Sequence, residues 1–314
     1  MKSFAQLRDA TKLTAASLAA AIGLSMAPLA MAAPATAEHT ASAKLTLTTP
    51  AGQERLLPLE GGSNFRDLGG YQTQDGKTVR RGVLFRSGVM TGLTAKDEHY
   101  LEQFDFQAVV DLRSDEELAL YPNHWVTHDD SIAYRQHSYK MADFLKARQA
   151  AGAAEKFKLG DLYYTLPDSL APQMALYFNE LLKGDGAVVV NCSAGQDRTG
   201  FASALLLTTL GVPKEVVEQD YLLSTQYRRP EIERGDVDLK EAAKTNSFAK
   251  MMLRYSDGDK PRQPQPLITE DGTPYIRLAL TEIQQDYGSV DGYLKAKVGL
   301  SDNDLSRLRE LYLK

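Results

Sequence analysis

Cys192 is the only cysteine among the 314 residues, and Arg198 stands six positions after it, followed at once by Thr199. The run Val188-Val189-Val190-Asn191 leads into the cysteine, and Phe201-Ala202-Ser203-Ala204-Leu205-Leu206-Leu207 follows Gly200. A strand that ends in a thiol, a loop of small residues and a helix is an arrangement suited to nucleophilic phosphate chemistry. Backbone N–H groups of Ser193, Ala194, Gly195 and Gln196 can curl around a dianion, and the helix N-terminus adds its positive end. Arg198 can fork onto two phosphate oxygens. A helix N-terminus beside a cation also favours the thiolate over the thiol. Attack by Cys192 would give a cysteinyl-phosphate, splitting one hard displacement into two easier ones. Thr199 can set a hydroxyl against the sulfur as it leaves in the second step, and Gly195 lets backbone approach the anion without a Cβ. The competing reading is a buried structural cysteine in a strand-to-helix turn.

The loop needs a scaffold, and the sequence supplies alternating elements. Val83–Ser87, Ala108–Arg113 and Ile132–His137 read as strands, as do Lys44–Thr48 and Arg55–Leu59 nearer the start. Thr94 with Asp97 makes a capping box for a helix reaching about Phe104, and Ser301 with Asp304 makes another for the last helix. Amphipathic helices are expected over 140–165, 172–183 (ended by Gly184), 213–227, 275–287, 290–298 and 302–313. Residues 228–274 form a polar, charge-rich stretch that includes Pro261, Pro264 and Pro266. Strands alternating with helices through the middle predict an α/β fold around a central, largely parallel sheet.

A leaving oxygen needs a proton, usually from a carboxylic acid. Asp197 lies inside the loop and is the first candidate, the alternative being a carboxylate that orients Arg198 or caps the helix. Asp143 is the second candidate, with a solvated aspartate as its competing reading. Asp67 and Asp111 are expected to form structural ion pairs with Arg86 or Arg113. The five histidines lack metal-ligand spacing, and His124 and His128 flank Trp125 with no glutamate between them. No metal site is expected from them.

The N-terminus has the form of an export signal. Lys2, Arg8 and Lys12 precede an alanine-rich apolar stretch, followed by small-residue cleavage sites before Ala33 or Glu38. Residues 1–32 are therefore expected to be removed, with residues 33–55 as a flexible leader and first strand, and 56–314 as the catalytic domain. The alanine content disfavours a stable membrane anchor. The segment holds Lys2, Arg8, Lys12 and Asp9, a net +2, so a chain of −5 becomes −7 once it is gone. That acidity argues against a nucleic-acid partner. Periplasm or the exterior is the expected location. A single cysteine in an oxidising compartment has no intramolecular partner, which favours a reactive role.

Four further segments accompany the cysteine loop in order: Asn64-Phe65-Arg66-Asp67-Leu68-Gly69-Gly70, Arg81-Gly82-Val83-Leu84-Phe85-Arg86-Ser87-Gly88, Val110-Asp111-Leu112-Arg113-Ser114, and Tyr287-Gly288-Ser289-Val290-Asp291-Gly292-Tyr293-Leu294. Together they make the chain resemble the bacterial family of Cys-x5-Arg protein tyrosine phosphatases, from about Leu56 to Leu313. The resemblance implies a phosphatase-type α/β fold with a helical lid, for which the 140–165 helix and the 228–274 segment are the candidates. It also implies activity on phosphotyrosine, extending to phosphoserine, phosphothreonine and phosphoinositides, with neither a metal nor an organic cofactor. Two departures stand out: Asn191 replaces the histidine usual before the cysteine, and Gln196 replaces a frequent lysine. The second weakens the case for polyphosphorylated lipids.

Phosphotyrosine proteins or small phosphoesters are thus the expected substrates, with phosphoinositides or inositol phosphates as the alternative, weakly favoured by Arg228 and Arg229. A thiol or persulfide protein is opposed by Arg198 and Thr199 and by the absence of a resolving cysteine. A non-catalytic phospho-ligand binder has no positive support, and a cysteine protease would need a paired base.

Overall fold

The structure is a computed structural model, and it describes residues 55–141, 159–254 and 263–314. The export segment, the leader, the Lys44–Thr48 strand and Asp143 lie outside the described residues.

The sheet has five strands: β1 (Arg66–Asp67), β2 (Leu84–Ser87), β3 (Phe106–Asp111), β4 (Ala133–Gln136) and β5 (Ala187–Asn191). Their order is β1-β2-β5-β3-β4, parallel throughout except for the short antiparallel edge strand β1. The fold is therefore the expected α/β arrangement on a mostly parallel sheet. β5 is central and buried along its whole length, as its unbroken valine run requires when both faces are covered. Alternation splits that run: Val188 and Val190 join one hydrophobic cluster, while Ala187 and Val189 join the other. The Arg55–Leu59 strand shrinks to a single bridge, Leu56 against Arg66.

The helices are α1 (Ala95–Leu101, continued by a 3-10 turn at Glu102–Phe104), α2 (Asp115–Leu120), α3 (Trp125–His128), α4 (Leu159–Ser169), α5 (Ala171–Lys183), α6 (Asp197–Thr209), α7 (Lys214–Leu222), α8 (Ser224–Tyr227), α9 (Pro230–Arg234), α10 (Leu239–Ala242), α11 (Ser247–Arg254), α12 (Tyr275–Tyr287), α13 (Val290–Tyr293, continued by a π turn to Val298) and α14 (Asp302–Tyr312). Both expected capping boxes form, and Gly184 ends α5 in the left-handed conformation. The 213–227 helix is divided into α7 and α8, and the 228–274 stretch contains the three short helices α9 to α11.

α6 follows the cysteine loop into the larger cluster and is buried nearly all round, consistent with its apolar composition on every face. The loop itself crosses the carboxyl end of β5, between the ends of β2 and β3. That is where the crevice of an open parallel sheet lies.

Candidate active site

Cys192 is only 2% exposed and sits where β5 ends, at the base of the loop that enters α6. The loop is shaped by its carbonyls. The Ser193 carbonyl accepts from the Val89 N–H (3.0 Å), and that of Gln196 accepts from the Gly200 N–H (3.0 Å). Asn64 Nδ2 donates to the carbonyls of Ala194 (3.3 Å) and Gly195 (2.8 Å), and Arg86 Nη2 also donates to Gly195 (2.8 Å). In a trans peptide the next N–H points opposite to the carbonyl. Anchoring four successive carbonyls therefore turns the N–H groups of Ala194, Gly195, Gln196 and Asp197 to the other side, as an anion cradle needs. Gly195 is required on two counts: its φ is +63°, and a Cβ there would lie 2.5 Å from Gly88 N and 2.6 Å from Ser87 C. The crowding comes from the β2 terminus, a reason distinct from the anion approach expected from sequence.

Arg198 is held by one edge. Its Nη1 and Nη2 donate to the two carboxylate oxygens of Glu117 (2.7 and 2.6 Å), and Nη1 also reaches Tyr139 Oη (2.7 Å) and the Leu112 carbonyl (3.2 Å). End-on pairing leaves the other edge, Nε–H with the remaining Nη2–H, as a fork for a second oxyanion. Glu117 is itself positioned as the third residue of a capping box on α2, where its carboxylate accepts from the Ser114 N–H (2.9 Å) and from Ser193 Oγ. Burial opposes its ionisation, and the charge and hydrogen bonds of Arg198 outweigh burial, holding Glu117 down at about 2.

A folded-state value below the unfolded one means that this pair stabilises fully above the usual glutamate range and less as pH falls through it. Denaturant midpoints measured from pH 6 to pH 2 are expected to fall steeply below about 4.5, and Glu117→Gln should be weaker at pH 6 with a flatter acid limb. An unchanged acid limb in the variant would show that the pair carries none of this stability.

Beneath the loop, Arg66 and Arg86 converge on one carboxylate. Asp220 accepts from Arg66 Nη1 (2.9 Å), Arg86 Nη1 (2.5 Å) and Tyr71 Oη (3.0 Å), and Ser224 Oγ lies against both guanidinium groups. The expected pairing of Asp67 with Arg86 is thereby corrected. In register, Arg66 lies beside Arg86 and Asp67 beside Phe85, so the Asp67 and Arg86 side chains leave opposite faces of the sheet. Asp67 instead accepts from the Gly69 and Gly82 N–H groups (2.7 and 3.1 Å) and faces Arg81 at 3.9 Å. The Asp111–Arg113 pair forms as expected, fully buried at 2.6 Å.

Residues 57–314 match the model of the tyrosine phosphatase family. The chain belongs to that family. A tyrosine-protein phosphatase of Nostoc commune is 28% identical over 236 residues, covering 71% of this chain and 72% of that one. The triple specificity protein phosphatase PtpB of Mycobacterium tuberculosis is 28% identical over 286 residues, covering 81% of this chain and 98% of that one. A Cupriavidus necator relative that carries a tyrosine-protein phosphatase name is 31% identical over 261 residues, covering 80% and 86%.

Within this tyrosine phosphatase the remaining loop residues have defined places. Thr199 Oγ1 donates to the Ser87 carbonyl at 3.4 Å. Gln196 Oε1 accepts from Arg228 Nη1 (2.9 Å), and Arg228 is paired through its other edge with Glu233 (2.6 Å). Arg228 thus brings a cation to the position where Gln196 lacks one, close enough for the charges of Cys192 and Asp197 to be felt. Arg229 is committed to the carbonyls of Leu59 and Gly62, both at 3.0 Å. Asp197 is partly buried, and its Oδ1 accepts from Tyr163 Oη. Asn191 is fully buried, and neither polar atom of its side chain has a partner among the described residues.

Glu117, Asn64, Tyr139 and Tyr163 are absent from the sequence-based site. Ser114-x-x-Glu117 has the spacing of a capping box, which marks a helix start and not a partner for Arg198, and Asn64 stood out only as part of a segment shared with the phosphatase family.

Proposed function

We propose that this phosphatase is exported and hydrolyses phosphotyrosine, with reach to phosphoserine and phosphothreonine, through a cysteinyl-phosphate. The observation that carries the reading is the loop after Cys192, whose four anchored carbonyls leave the following N–H groups pointing away from their anchors, with one edge of Arg198 unpaired among the described residues. In the first step the thiolate of Cys192 attacks phosphorus. The bond from phosphorus to the ester oxygen breaks, and Asp197 gives its proton to the departing oxygen. The loop amides and Arg198 hold the equatorial oxygens while charge shifts. In the second step water attacks phosphorus, its proton goes to the Asp197 carboxylate, and the S–P bond breaks to release phosphate and thiolate.

Export is supported by the basic, apolar and small-residue order of the first 32 residues. Expressed in a bacterial host, the chain is expected in the periplasm with a new N-terminus near Ala33 or Glu38. Retention in the cytoplasm at full length would overturn this part. The processed protein, offered a phosphotyrosine peptide, a phosphoserine peptide and a phosphoinositide at equal concentration, should release phosphate fastest from the first, with Cys192→Ser as control. One observation favours a second reading. Arg228 beside Gln196 offers a cation for a further phosphate, so release led by the phosphoinositide would move the substrate class to lipid or inositol phosphates.

A further inference from the structure

Asp197 is held by hydroxyl groups that come from outside the loop. Tyr163, on α4 and 0% exposed, donates from Oη to Asp197 Oδ1, and its own Oη lies 2.5 Å from Tyr221 Oη on α7. The direction of this chain follows from counting protons. Each hydroxyl has one to give, so if Tyr163 donates to Asp197, Tyr221 donates to Tyr163. A chain running the other way would end on the proton of buried Tyr221, which has no further hydrogen-bond partner among the described residues.

Oδ1 receives a second donor. Gln196 Nε2 faces it at 3.4 Å, and the Gln196 amide is oriented by Arg228, which donates to Oε1 at 2.9 Å. The groups that interact with the Asp197 carboxyl are thus Tyr163 from α4, Tyr221 from α7, Gln196 from the loop, and Arg228. An oxygen that already accepts from two directions has no room for a proton of its own. Any acidic proton on Asp197 is confined to Oδ2, which has no protein partner among the described residues.

We infer that Tyr163 is a positioning residue for proton transfer: with Tyr221 behind it, its hydroxyl locks Asp197 Oδ1 and leaves Oδ2 to deliver the proton to the leaving oxygen. This rests on the reading of Asp197 as the acid, and it adds where the proton sits and what keeps it there. The rings are held independently of the hydroxyls. Tyr163 stacks on Tyr275 (centroids 5.5 Å apart, planes at 18°) and meets Tyr221 edge-on (6.0 Å, 86°). Tyr163→Phe therefore removes the hydroxyl while keeping the packing.

The test compares phenyl phosphate, whose leaving group needs a proton, with 4-nitrophenyl phosphate, whose leaving group hardly does. Asp197→Asn is expected to lower kcat on phenyl phosphate by roughly 100-fold and far less on the nitrophenyl ester. Tyr163→Phe should show the same selectivity at about tenfold, with KM unchanged. The double variant should be no slower than Asp197→Asn alone, because both changes act through one carboxyl. If Tyr163→Phe slows both substrates alike, or adds its factor on top of Asp197→Asn, the positioning role is overturned while the acid reading stands. If Asp197→Asn itself shows no selectivity, the acid reading falls and takes this inference with it. Should Tyr163→Phe fail to fold, Tyr221→Phe keeps the Tyr163–Asp197 bond but removes the donor behind it. A smaller loss, again confined to phenyl phosphate, is expected, and an equal loss on both substrates or none at all would overturn the proposal.

Discussion

Cys192→Ser is expected to abolish turnover, by at least about 10⁴-fold, while phosphate still binds. The two halves of this result have separate structural causes. The cradle is made by carbonyls of Ser193, Ala194, Gly195 and Gln196 anchored to Val89, Asn64, Arg86 and Gly200, and none of those bonds involves the thiol. A serine hydroxyl fits the buried position but is far less ionised and far less nucleophilic, so the covalent step is lost and binding is kept. Phosphate release over hours, set beside phosphate affinity by calorimetry, decides the matter. Turnover near that of the parent would remove Cys192 from the mechanism, and loss of phosphate binding would show that the thiol helps to build the cradle.

Arg198→Lys should be nearly as damaging, costing about 10³-fold or more in kcat/KM. Arg198 is proposed to have two tasks on two edges of one planar group: Nη1 and Nη2 grip Glu117, and the edge of Nε with the other Nη2–H, unpaired among the described residues, is left for the phosphate. An ammonium has no second edge. If the substituted ammonium stays with Glu117, the phosphate loses its fork. If it turns to the phosphate, the carboxylate of fully buried Glu117 keeps, among the described residues, hydrogen bonds from Ser114 and Ser193 alone. Steady-state kinetics on a phosphotyrosine peptide would show the loss, and a kcat/KM within about tenfold of the parent would refute the two-edged role. Glu117→Gln separates the tasks, because it loosens the grip while leaving the guanidinium in place.

The parts of this molecule that were legible in the sequence are those governed by neighbours along the chain. The valine run of β5, the capping boxes at Thr94 and Ser301, and Gly184 after α5 are local signals, and each element forms where its signal lies. The cysteine loop was legible for the same reason, since its residue types are close neighbours along the chain. What surrounds the loop was not. Arg198 meets Glu117 across 81 residues, Gly195 meets Asn64 across 131, and Asp197 meets Tyr163 across 34. No local rule spans those distances. The misassigned partner of Arg86 has the same origin: its carboxylate, Asp220, arrives from α7, 134 residues further on, while the nearer Asp67 points to the other face of the sheet. Glu117 caps α2, and its hold on Arg198 appears only once α2 is laid against the loop.

The buried cluster under the loop has a consequence for the molecule as a whole. Arg66 and Arg86 bring two positive charges into a region from which water is excluded, and Asp220 answers only one of them. Arg86 ties this cluster to the loop by donating to the Gly195 carbonyl. Two guanidinium groups thus share one carboxylate directly under the loop, and a phosphate bound above adds negative charge on their side. Ligand and fold then share one electrostatic balance: the native state is more stable when the oxyanion is present, and any change that weakens phosphate binding also weakens the molecule's resistance to unfolding in phosphate-rich surroundings.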